Sequence, residues 1–284
     1  MSLSSQIPAP DPGIVEAVID SALAEDIGRG DVTSDAVLPA GAWLKFAMTT
    51  REDIVVAGLD IAVKIFRRLV ADARIDKMLE DGALAPAGTV LLTLDGPAGG
   101  LLTAERTALN MLQFLSGIAT TTRAYVDVID GTGAILLDTR KTLPGLRAVS
   151  KYATLVGGAC NHRMRLDDGV LIKDNHIAVA GSVGEAVRRA QAAGLQEIEV
   201  ECDTLGQVEE ALVAGAGRIL LDNMTNDQLC QAVKMARGKS SLEASGGVNL
   251  KTIRAIAETG VDFISVGRIT QSAPAVDIGL DQLT

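Results

Sequence analysis

The chain has 284 residues, which is longer than a typical single domain and suits one large α/β domain or two ordinary ones. Apolar residues make up 48% and charged residues 22% of it, a globular composition that excludes a disordered or fibrous chain. Aromatic residues make up only 2%, so the core is aliphatic, and a stacking platform for single-stranded nucleic acid is excluded. The net charge of −10 has the wrong sign for holding a phosphate backbone, so we expect no nucleic acid partner.

Cysteine usage and hydropathy indicate the compartment. The three cysteines are odd in number and lack a metal-like spacing, so we expect reduced thiols at Cys160, Cys202 and Cys230. The first 13 residues lack the basic patch and apolar core of a signal peptide. The stretch between Arg106 and Arg123 is too short and too polar to span a bilayer. We therefore expect a cytoplasmic protein without a membrane partner.

The amino-terminal third of the chain has the pattern of a small α+β unit. Residues 1–13 are rich in Pro and Ser and are predicted to form a flexible arm. Apolar residues at helical spacing predict a helix from Ile14 to Leu23 that ends near Gly28. A second helix and two short strands are predicted from the runs at 57–69, 44–49 and 90–94.

The second half alternates short aliphatic runs with segments of helical periodicity, which predicts parallel strands joined by crossover helices. Six such runs are present, at 134–138, 169–173, 197–201, 218–222, 241–245 and 262–266. The alternation fits either an open doubly wound sheet or a barrel. No strand end supplies the G-x-G-x-x-G sequence of a dinucleotide fold. Each strand closes on polar, charged or glycine residues instead, which favours the functional face of a barrel.

Basic residues are concentrated in the segment 140–173, which holds seven of them against two acidic residues. Such an island in an acidic chain indicates a small polyanionic ligand, because a large polyanion would be repelled elsewhere. A solvated helix face is the alternative for Arg147 and Lys151. That alternative is poor for the residues at strand ends, which are Arg140, Lys141 and Lys173.

Two carboxylates, Glu201 and Asp222, stand at strand ends on the same predicted face. Mg²⁺ binding explains them, because this ion is held by one or two carboxylates together with substrate phosphates. Acid/base catalysis and a structural ion pair with nearby lysines are the alternatives. His162 is either a ligand contact or a structural residue, and His176 is expected to be structural. Two histidines with three scattered cysteines form no zinc set.

Glycine turns follow the last two predicted strands. The sequence LEASGGV at 242–248 precedes a helix, and Gly267 and Arg268 close FISVGR. Backbone N–H groups at such turns can bind an anion, and phosphate sites in barrels occupy these two loops. The pair therefore predicts a phosphate site, whereas each glycine alone would be explained by a tight turn.

Several longer motifs resemble one family. They are AEDIGRGDVTS at 24–34, ERTALNMLQFLSGIAT at 105–120, DTRKTLPGLR at 138–147, NHR at 161–163, LIKDNHI at 171–177, EVE at 199–201, LLDNM at 220–224 and GVDFISVG at 260–267. On these motifs, which run in order from residue 24 to the carboxyl end, the chain resembles the quinolinate phosphoribosyltransferase (nicotinate-nucleotide pyrophosphorylase) family of type II phosphoribosyltransferases.

The resemblance implies an amino-terminal α/β sandwich domain at 14–118, an incomplete seven-stranded α/β barrel at 119–275 and a carboxyl-terminal segment at 276–284. The periodicity supplies six strands, so one barrel strand is unplaced. The family's dimers imply a homodimer in which the amino-terminal domain of one subunit covers the barrel mouth of the other, with assembly beyond the dimer left open. Arg106 would then reach into the neighbouring subunit's site.

The implied reaction transfers phosphoribosyl from phosphoribosyl pyrophosphate (PRPP) to quinolinate with decarboxylation, in de novo NAD biosynthesis. Its products are nicotinate mononucleotide, CO₂ and pyrophosphate, and its cofactor is Mg²⁺. The implied catalytic residues are Lys141, Glu201 and Asp222, of which the two acids also meet Mg²⁺, largely through PRPP. The implied substrate-binding residues are Arg106, Thr139, Arg140, Lys141, His162, Arg163, Lys173, Glu201, Asp222, Ser245, Gly246, Gly247, Val266, Gly267 and Arg268.

Three other functions stay open at this point. They are a related pyrophosphorylase acting on a different base, a barrel aldolase that uses Lys141 or Lys173 as a Schiff base, and a catalytically inactive metabolite-binding subunit.

The chain also departs from the family pattern at three positions. Arg165 stands where glycine is common after NHR, Arg268 replaces a small residue in the last loop, and Gln271 replaces its histidine. These departures bear on substrate affinity, with Arg165 either crowding the quinolinate pocket or pointing outward.

Overall fold

A computed structural model describes residues 7–283 and divides them into two compact units. The first unit comprises the residues up to 123, 142–158 and the residues from 269 onward, and the second comprises 124–141 and 159–268. Of the predicted arm at 1–13, residues 1–6 lie outside the described residues, and a helix begins at Pro12. Among the helices described, none has the length and apolar character needed to cross a membrane.

The helices of the first unit are α1 (Pro12–Ile27), α2 (Val32–Val37), α3 (Leu59–Leu69), most of α4 (Ala98–Ile129) and α5 (Arg147–Gly157). The two helices predicted from periodicity, α1 and α3, are confirmed. α1 begins where the Asp11 side chain accepts a hydrogen bond from the Ile14 N–H, and it ends at Gly28 as expected. Both helices bury an apolar face, whereas α2 buries no side chain.

The strands of the first unit are β1 (Trp43–Thr50), β2 (Ile54–Val55), β3 (Arg74–Lys77), β4 (Leu84–Ala85), β5 (Val90–Pro97) and β12 (Ile278–Gln282). An antiparallel sheet has the order β12-β1-β5-β3, and β2 pairs with β4. The predicted strands at 44–49 and 90–94 are confirmed in β1 and β5. The core is aliphatic, as the composition predicts, and includes Ile19, Leu92 and Leu112.

The second unit contains one parallel sheet of six strands, which confirms all six predicted runs. The strands are β6 (Ile135–Leu137), β7 (Leu171–Ile172), β8 (Glu199–Cys202), β9 (Arg218–Asp222), β10 (Ser241–Ser245) and β11 (Phe263–Ser265). Their order in the sheet is β6-β11-β10-β9-β8-β7. On the free edge of β6, Leu137 forms an isolated parallel bridge with Cys160.

Helices follow the strands of this sheet, as crossover connections require. They are α6 (Asp174–Ala180), α7 (Val183–Ala192), α8 (Leu205–Ala214), α9 (Asn226–Ala236), α10 (Ile253–Ala257) and the single turn α11 (Arg268–Gln271). The starts of α8 and α9 are fixed by Thr204 and Thr225, whose hydroxyls accept the N–H of a glutamine three residues on. These caps set the length of the loops that leave the carboxyl ends of β8 and β9.

Candidate active site

One buried carboxylate joins the end of β6 to the segment 161–163. Asp138 is fully buried and accepts hydrogen bonds from Asn161 Nδ2 at 2.6 Å and from the His162 N–H at 2.9 Å. A buried charge is tolerated when hydrogen-bond donors surround it in this way. Asp138 therefore fixes the backbone that leads into Arg163.

Arg140 and Arg163 lie close enough for their charges to repel each other. The pKa of Arg163 is lowered by burial and, after that, by the positive charge of Arg140. The Arg140 Nε atom is buried and has no hydrogen-bond partner among residues 7–283, while Arg163 donates to the Gly169 carbonyl at 3.0 Å. Two fixed guanidinium groups in this relation suit an anion with two negative groups, such as a dicarboxylate.

Glu201 and Asp222 form an acidic patch near the ends of β8 and β9. Lys173 Nζ donates to Glu201 Oε2 at 2.7 Å, so an ion pair joins the end of β7 to this patch. The pKa of Asp222 is raised by partial burial and by the negative charges of Glu201 and Asp203. Carboxylates that repel each other in this way favour a divalent cation or a positive charge that develops in a transition state.

A residue that the sequence analysis missed, Asn223, links the acidic patch to the first glycine turn. Its Nδ2 donates to Asp222 Oδ2 at 2.5 Å, and its N–H donates to the Ser245 carbonyl at 2.9 Å. Asn223 has a φ of 54°, which is uncommon for a residue with a side chain. Gly246, at a φ of 93°, packs so closely on the Asn223 amide that a Cβ would overlap it. The sequence signal was an asparagine directly after a strand that ends on an acid.

The second glycine turn packs against the end of β6. A Cβ on Gly267 would lie 2.8 Å from Lys141 Cδ, closer than real side chains approach. The Thr139 hydroxyl accepts the Lys141 N–H at 3.0 Å, and the Val266 N–H donates to the Leu137 carbonyl at 3.0 Å. Glycine at 267 therefore lets the Lys141 side chain lie along the turn.

The structure brings most predicted site residues into the second unit, in the cationic, acidic and glycine-turn groups described above. Arg106 is exposed on α4 in the first unit. Arg268 is exposed at the start of α11. Arg165 points outward, because its Nε lies 2.9 Å from Asp167 Oδ1 and both side chains are about two-thirds exposed. The crowding expected as one possibility for Arg165 is therefore not observed.

Two further residues that the sequence analysis missed, Glu199 and Glu243, surround the His162 ring. His162 Nε2 lies 3.0 Å from Glu199 Oε2 and 3.6 Å from Glu243 Oε2. The pKa of Glu243 is raised by burial and by the charge of Glu199. The pattern contains a signal for Glu199, since alternation along β8 places its side chain on the same face as that of Glu201.

Cationic side chains, an acidic pair and two glycine turns at the carboxyl ends of a parallel sheet define an α/β protein built to bind small polyanionic substrates. The model of the quinolinate phosphoribosyl transferase N-terminal domain matches residues 31–116, and that of the C-terminal domain matches residues 118–281. The chain belongs to the quinolinate phosphoribosyltransferase family.

Individual relatives agree over almost the full chain. The chain is 46% identical over 270 residues to the nicotinate-nucleotide pyrophosphorylase [carboxylating] of Mycobacterium leprae, covering 93% of this chain and 95% of that protein. It is similar to the solved nicotinate-nucleotide pyrophosphorylase of Francisella tularensis, with a TM-score of 0.93, 40% identity and coverage of 98% and 99%. For the Ehrlichia chaffeensis protein the TM-score is 0.90, the identity 42%, and the coverage 94% and 98%.

Proposed function

We propose that this protein is a phosphoribosyltransferase that converts quinolinate and PRPP to nicotinate mononucleotide, CO₂ and pyrophosphate in NAD biosynthesis. The paired guanidinium groups of Arg140 and Arg163 are the observation on which this rests, because quinolinate presents two adjacent carboxylates. A base with one carboxylate would leave one of these cations unpaired, which disfavours nicotinate as the substrate. Lys141, Lys173 and His162 complete the proposed quinolinate pocket.

The PRPP half of the site uses the acidic patch and the glycine turns. Glu201 and Asp222 face the ribose, where their charges stabilise the positive charge that develops at the anomeric carbon as pyrophosphate leaves. The backbone N–H groups of Ser245, Gly246, Gly247, Gly267 and Arg268 hold the 5′-phosphate. Val266 lines this site and anchors the second turn, since its own N–H donates to the Leu137 carbonyl. The exposed Arg268 guanidinium adds a cation to this phosphate site.

The residues of the acidic patch fit a Mg²⁺ ion. Burial raises the pKa of Asp222, and the negative charges of Glu201 and Asp203 raise it further; a bound divalent cation would relieve that repulsion. Carboxylate oxygens are also the donors that this ion prefers. Glu201 and Asp222 would hold it together with the phosphates of PRPP, where it neutralises charge on the departing pyrophosphate.

Decarboxylation follows from the first step. When the quinolinate nitrogen bonds to the anomeric carbon, the ring becomes a pyridinium that can accept the electron pair of the adjacent carbon–carboxylate bond. CO₂ leaves, the ring carbon takes up a proton, and the second carboxylate stays paired with the cations of the pocket. An aldolase mechanism at Lys173 is disfavoured, because its amine is engaged in an ion pair with Glu201 instead of facing a carbonyl substrate.

The finer architecture is part of the proposal. The Leu137–Cys160 bridge on the free edge of β6 supports a seventh strand at this segment and an incomplete barrel. The exposed Arg106 supports a shared site in a homodimer, since a cation at the surface of α4 is available to a second subunit. A groove of about 840 Å³ on the first unit includes the next residue, Thr107, and the exposed Ile14 and Leu143 in its lining. Assembly beyond the dimer is left open, and the protein is proposed to be cytoplasmic.

The decisive assay incubates purified protein with quinolinate, PRPP and Mg²⁺ and follows nicotinate mononucleotide and CO₂ together. Nicotinate in place of quinolinate is the control. We expect both products from quinolinate and neither from nicotinate. A nucleotide product formed from nicotinate, or from quinolinate without CO₂, would overturn the proposal in favour of a pyrophosphorylase with another base.

The shared site is tested by mixing two inactive variants, Arg106→Ala and Arg163→Ala. In a hybrid dimer, one site contains an intact second unit and an Arg106 from the other subunit. Unfolding and refolding an equal mixture should therefore recover about a quarter of the wild-type activity, as expected for a twofold dimer with random pairing. No recovery in hybrids verified by mass spectrometry would contradict a site shared between subunits.

A further inference from the structure

We propose that Glu199 is a positioning residue, which holds the His162 ring so that its other nitrogen fixes the backbone of Arg163 at the quinolinate pocket. The role of Arg163 in this inference rests on the proposed function. The contacts that support the inference all lie within the second unit. It gives a role to two buried glutamates, Glu199 and Glu243, that the reaction itself does not require.

The contacts form a short chain through the imidazole. The Arg163 N–H donates to His162 Nδ1 at 2.8 Å, and His162 Nε2 lies 3.0 Å from Glu199 Oε2. The side chain of His162 is 11% exposed, that of Glu199 is 6% exposed, and that of Glu243 is fully buried. Water therefore has little access to the ring, and its orientation is set by these protein groups.

One tautomer of the ring satisfies both the Arg163 and the Glu199 contact. A backbone N–H can only donate, so Nδ1 must offer its lone pair to Arg163. The ring proton must then be on Nε2, which faces two carboxylates that can accept it. Glu199 selects this tautomer, and the tautomer in turn supplies the acceptor for Arg163. A carboxylate that orients a histidine in this way is a recurrent device around functional sites.

Strand pairing in the parallel sheet places the carboxylates of Glu199 and Glu243 near the His162 ring. Glu199 on β8 and Ser241 on β10 both pair with Arg218 on the strand between them, and Glu243 lies two residues further along the same face of β10. Glu199 and His162 also line a cavity of about 360 Å³, which Arg218 borders. The Arg218 guanidinium lies 3.8 Å from Glu243 and stacks on the Phe263 ring, so it balances part of the buried negative charge.

The other histidine provides an internal comparison. His176 Nδ1 accepts the Lys173 N–H at 2.9 Å, so each of the two histidines in the chain fixes the backbone of a cation in the proposed pocket. His176 is exposed, whereas the ring of His162 is enclosed with Glu199 and Glu243. The enclosed histidine thus depends on a carboxylate for its orientation in a way that the exposed one does not.

The same three side chains place their ligand atoms within 4.8 Å of one another, as a metal site would. A metal would need the lone pair of His162 Nε2, and the ring proton would then be lost from that nitrogen. His162 Nε2 can therefore carry either a proton or a metal ion, but not both. The spectroscopic test below distinguishes the two cases.

The kinetic test compares Glu199→Ala with Glu199→Gln. The glutamine keeps a carbonyl oxygen that can accept the Nε2 proton, and the alanine removes it. We expect Glu199→Ala to raise the KM for quinolinate by about 10- to 100-fold with little change in the KM for PRPP, because a displaced binding group costs this much. Glu199→Gln should recover most of the loss. The matched control is Glu197→Gln, which removes an exposed charge from the same cavity without contacting the ring.

The spectroscopic test uses ¹⁵N-histidine labelling, which gives signals from only two residues, assigned with a His176→Gln variant. We expect the wild-type His162 to carry its proton on Nε2, and the proton to redistribute between the nitrogens in Glu199→Ala. A proton on Nδ1, a stoichiometric metal bound at Nε2, or a Glu199→Ala enzyme with the wild-type KM for quinolinate would overturn the proposal. If the wild type makes no nicotinate mononucleotide, the proposed function fails. The NMR result still tests the role of Glu199.

Discussion

The cationic pocket, formed by Arg140 and Arg163, and the acidic patch, formed by Glu201 and Asp222, each hold two like charges close together. The two sites differ in how these charges are balanced by neighbouring groups. In the acidic patch Lys173 already pairs with Glu201, so only part of the negative charge awaits a partner. In the cationic pocket Arg140 and Arg163 repel each other, and the buried Arg140 Nε has no hydrogen-bond partner in the described part of the chain. In the proposed function the cationic pocket takes the dicarboxylate, and the acidic patch takes a hydrated cation shared with substrate phosphates.

The largest effect is expected from Arg163→Ala, which leaves the cationic pocket with a single guanidinium. Loss of a fixed charge aimed at the reacting group should lower kcat/KM for quinolinate by about 10²- to 10³-fold. Steady-state kinetics measures this, and circular dichroism checks that the fold is intact. Arg165→Ala is the matched control, because this arginine lies two residues away but pairs with Asp167 at the surface. Equal losses in both variants would contradict the pocket assignment.

Asp222→Asn tests the acidic patch instead of the cationic pocket. We expect kcat to fall by about 10²-fold, because less negative charge faces the anomeric carbon, with the KM for quinolinate nearly unchanged. A raised pKa in the folded state means that ionised Asp222 costs stability, and this cost grows as pH rises through that pKa. The asparagine variant should therefore melt at a higher temperature than the wild type at neutral pH. A lower Tm at neutral pH would contradict the raised pKa of Asp222.

A smaller effect is expected where the acidic patch meets the first glycine turn. Gly246→Ala introduces a Cβ that overlaps the Asn223 amide at a left-handed φ, so it should destabilise the fold by about 1–3 kcal/mol and raise the KM for PRPP. Urea denaturation and kinetics give the two values. Gly206→Ala is the control, since the helix at this position has room for a methyl group. Unchanged stability in Gly246→Ala would mean that the close approach to Asn223 is not required.

The smallest effect is expected at Glu243, which lies near the His162 ring together with Glu199. Burial and the charge of Glu199 raise the pKa of Glu243. The stabilisation that protonated Glu243 provides is complete below the ordinary glutamate pKa of about 4.3 and is lost as pH rises through the raised value. Glu243→Gln should therefore lose less stability between pH 5 and 8 than the wild type in urea denaturation, whereas the exposed Glu209→Gln should match the wild type. Parallel pH profiles would contradict the raised pKa.

The sequence predicted the parallel sheet well, because each strand is an aliphatic run that ends on a polar residue, even β7 with only two residues. It did not predict α2, since a six-residue helix that buries nothing has no apolar periodicity. Most site residues were found from strand ends or from the family resemblance. Asn223 and Glu243 were missed because their roles depend on neighbours on other strands, which a one-dimensional pattern does not reveal.

The pairing of β12 with β1 has a consequence for how the chain is made. A ribosome produces β1 early, but its outer neighbour β12 emerges only after all six strands of the parallel sheet. Domains fold as units during synthesis, so the second unit can finish first while β1 still exposes an unpaired edge. The first unit, which begins to be synthesised first, is thus completed only after the second, and the edge of β1 can pair with other chains until β12 emerges.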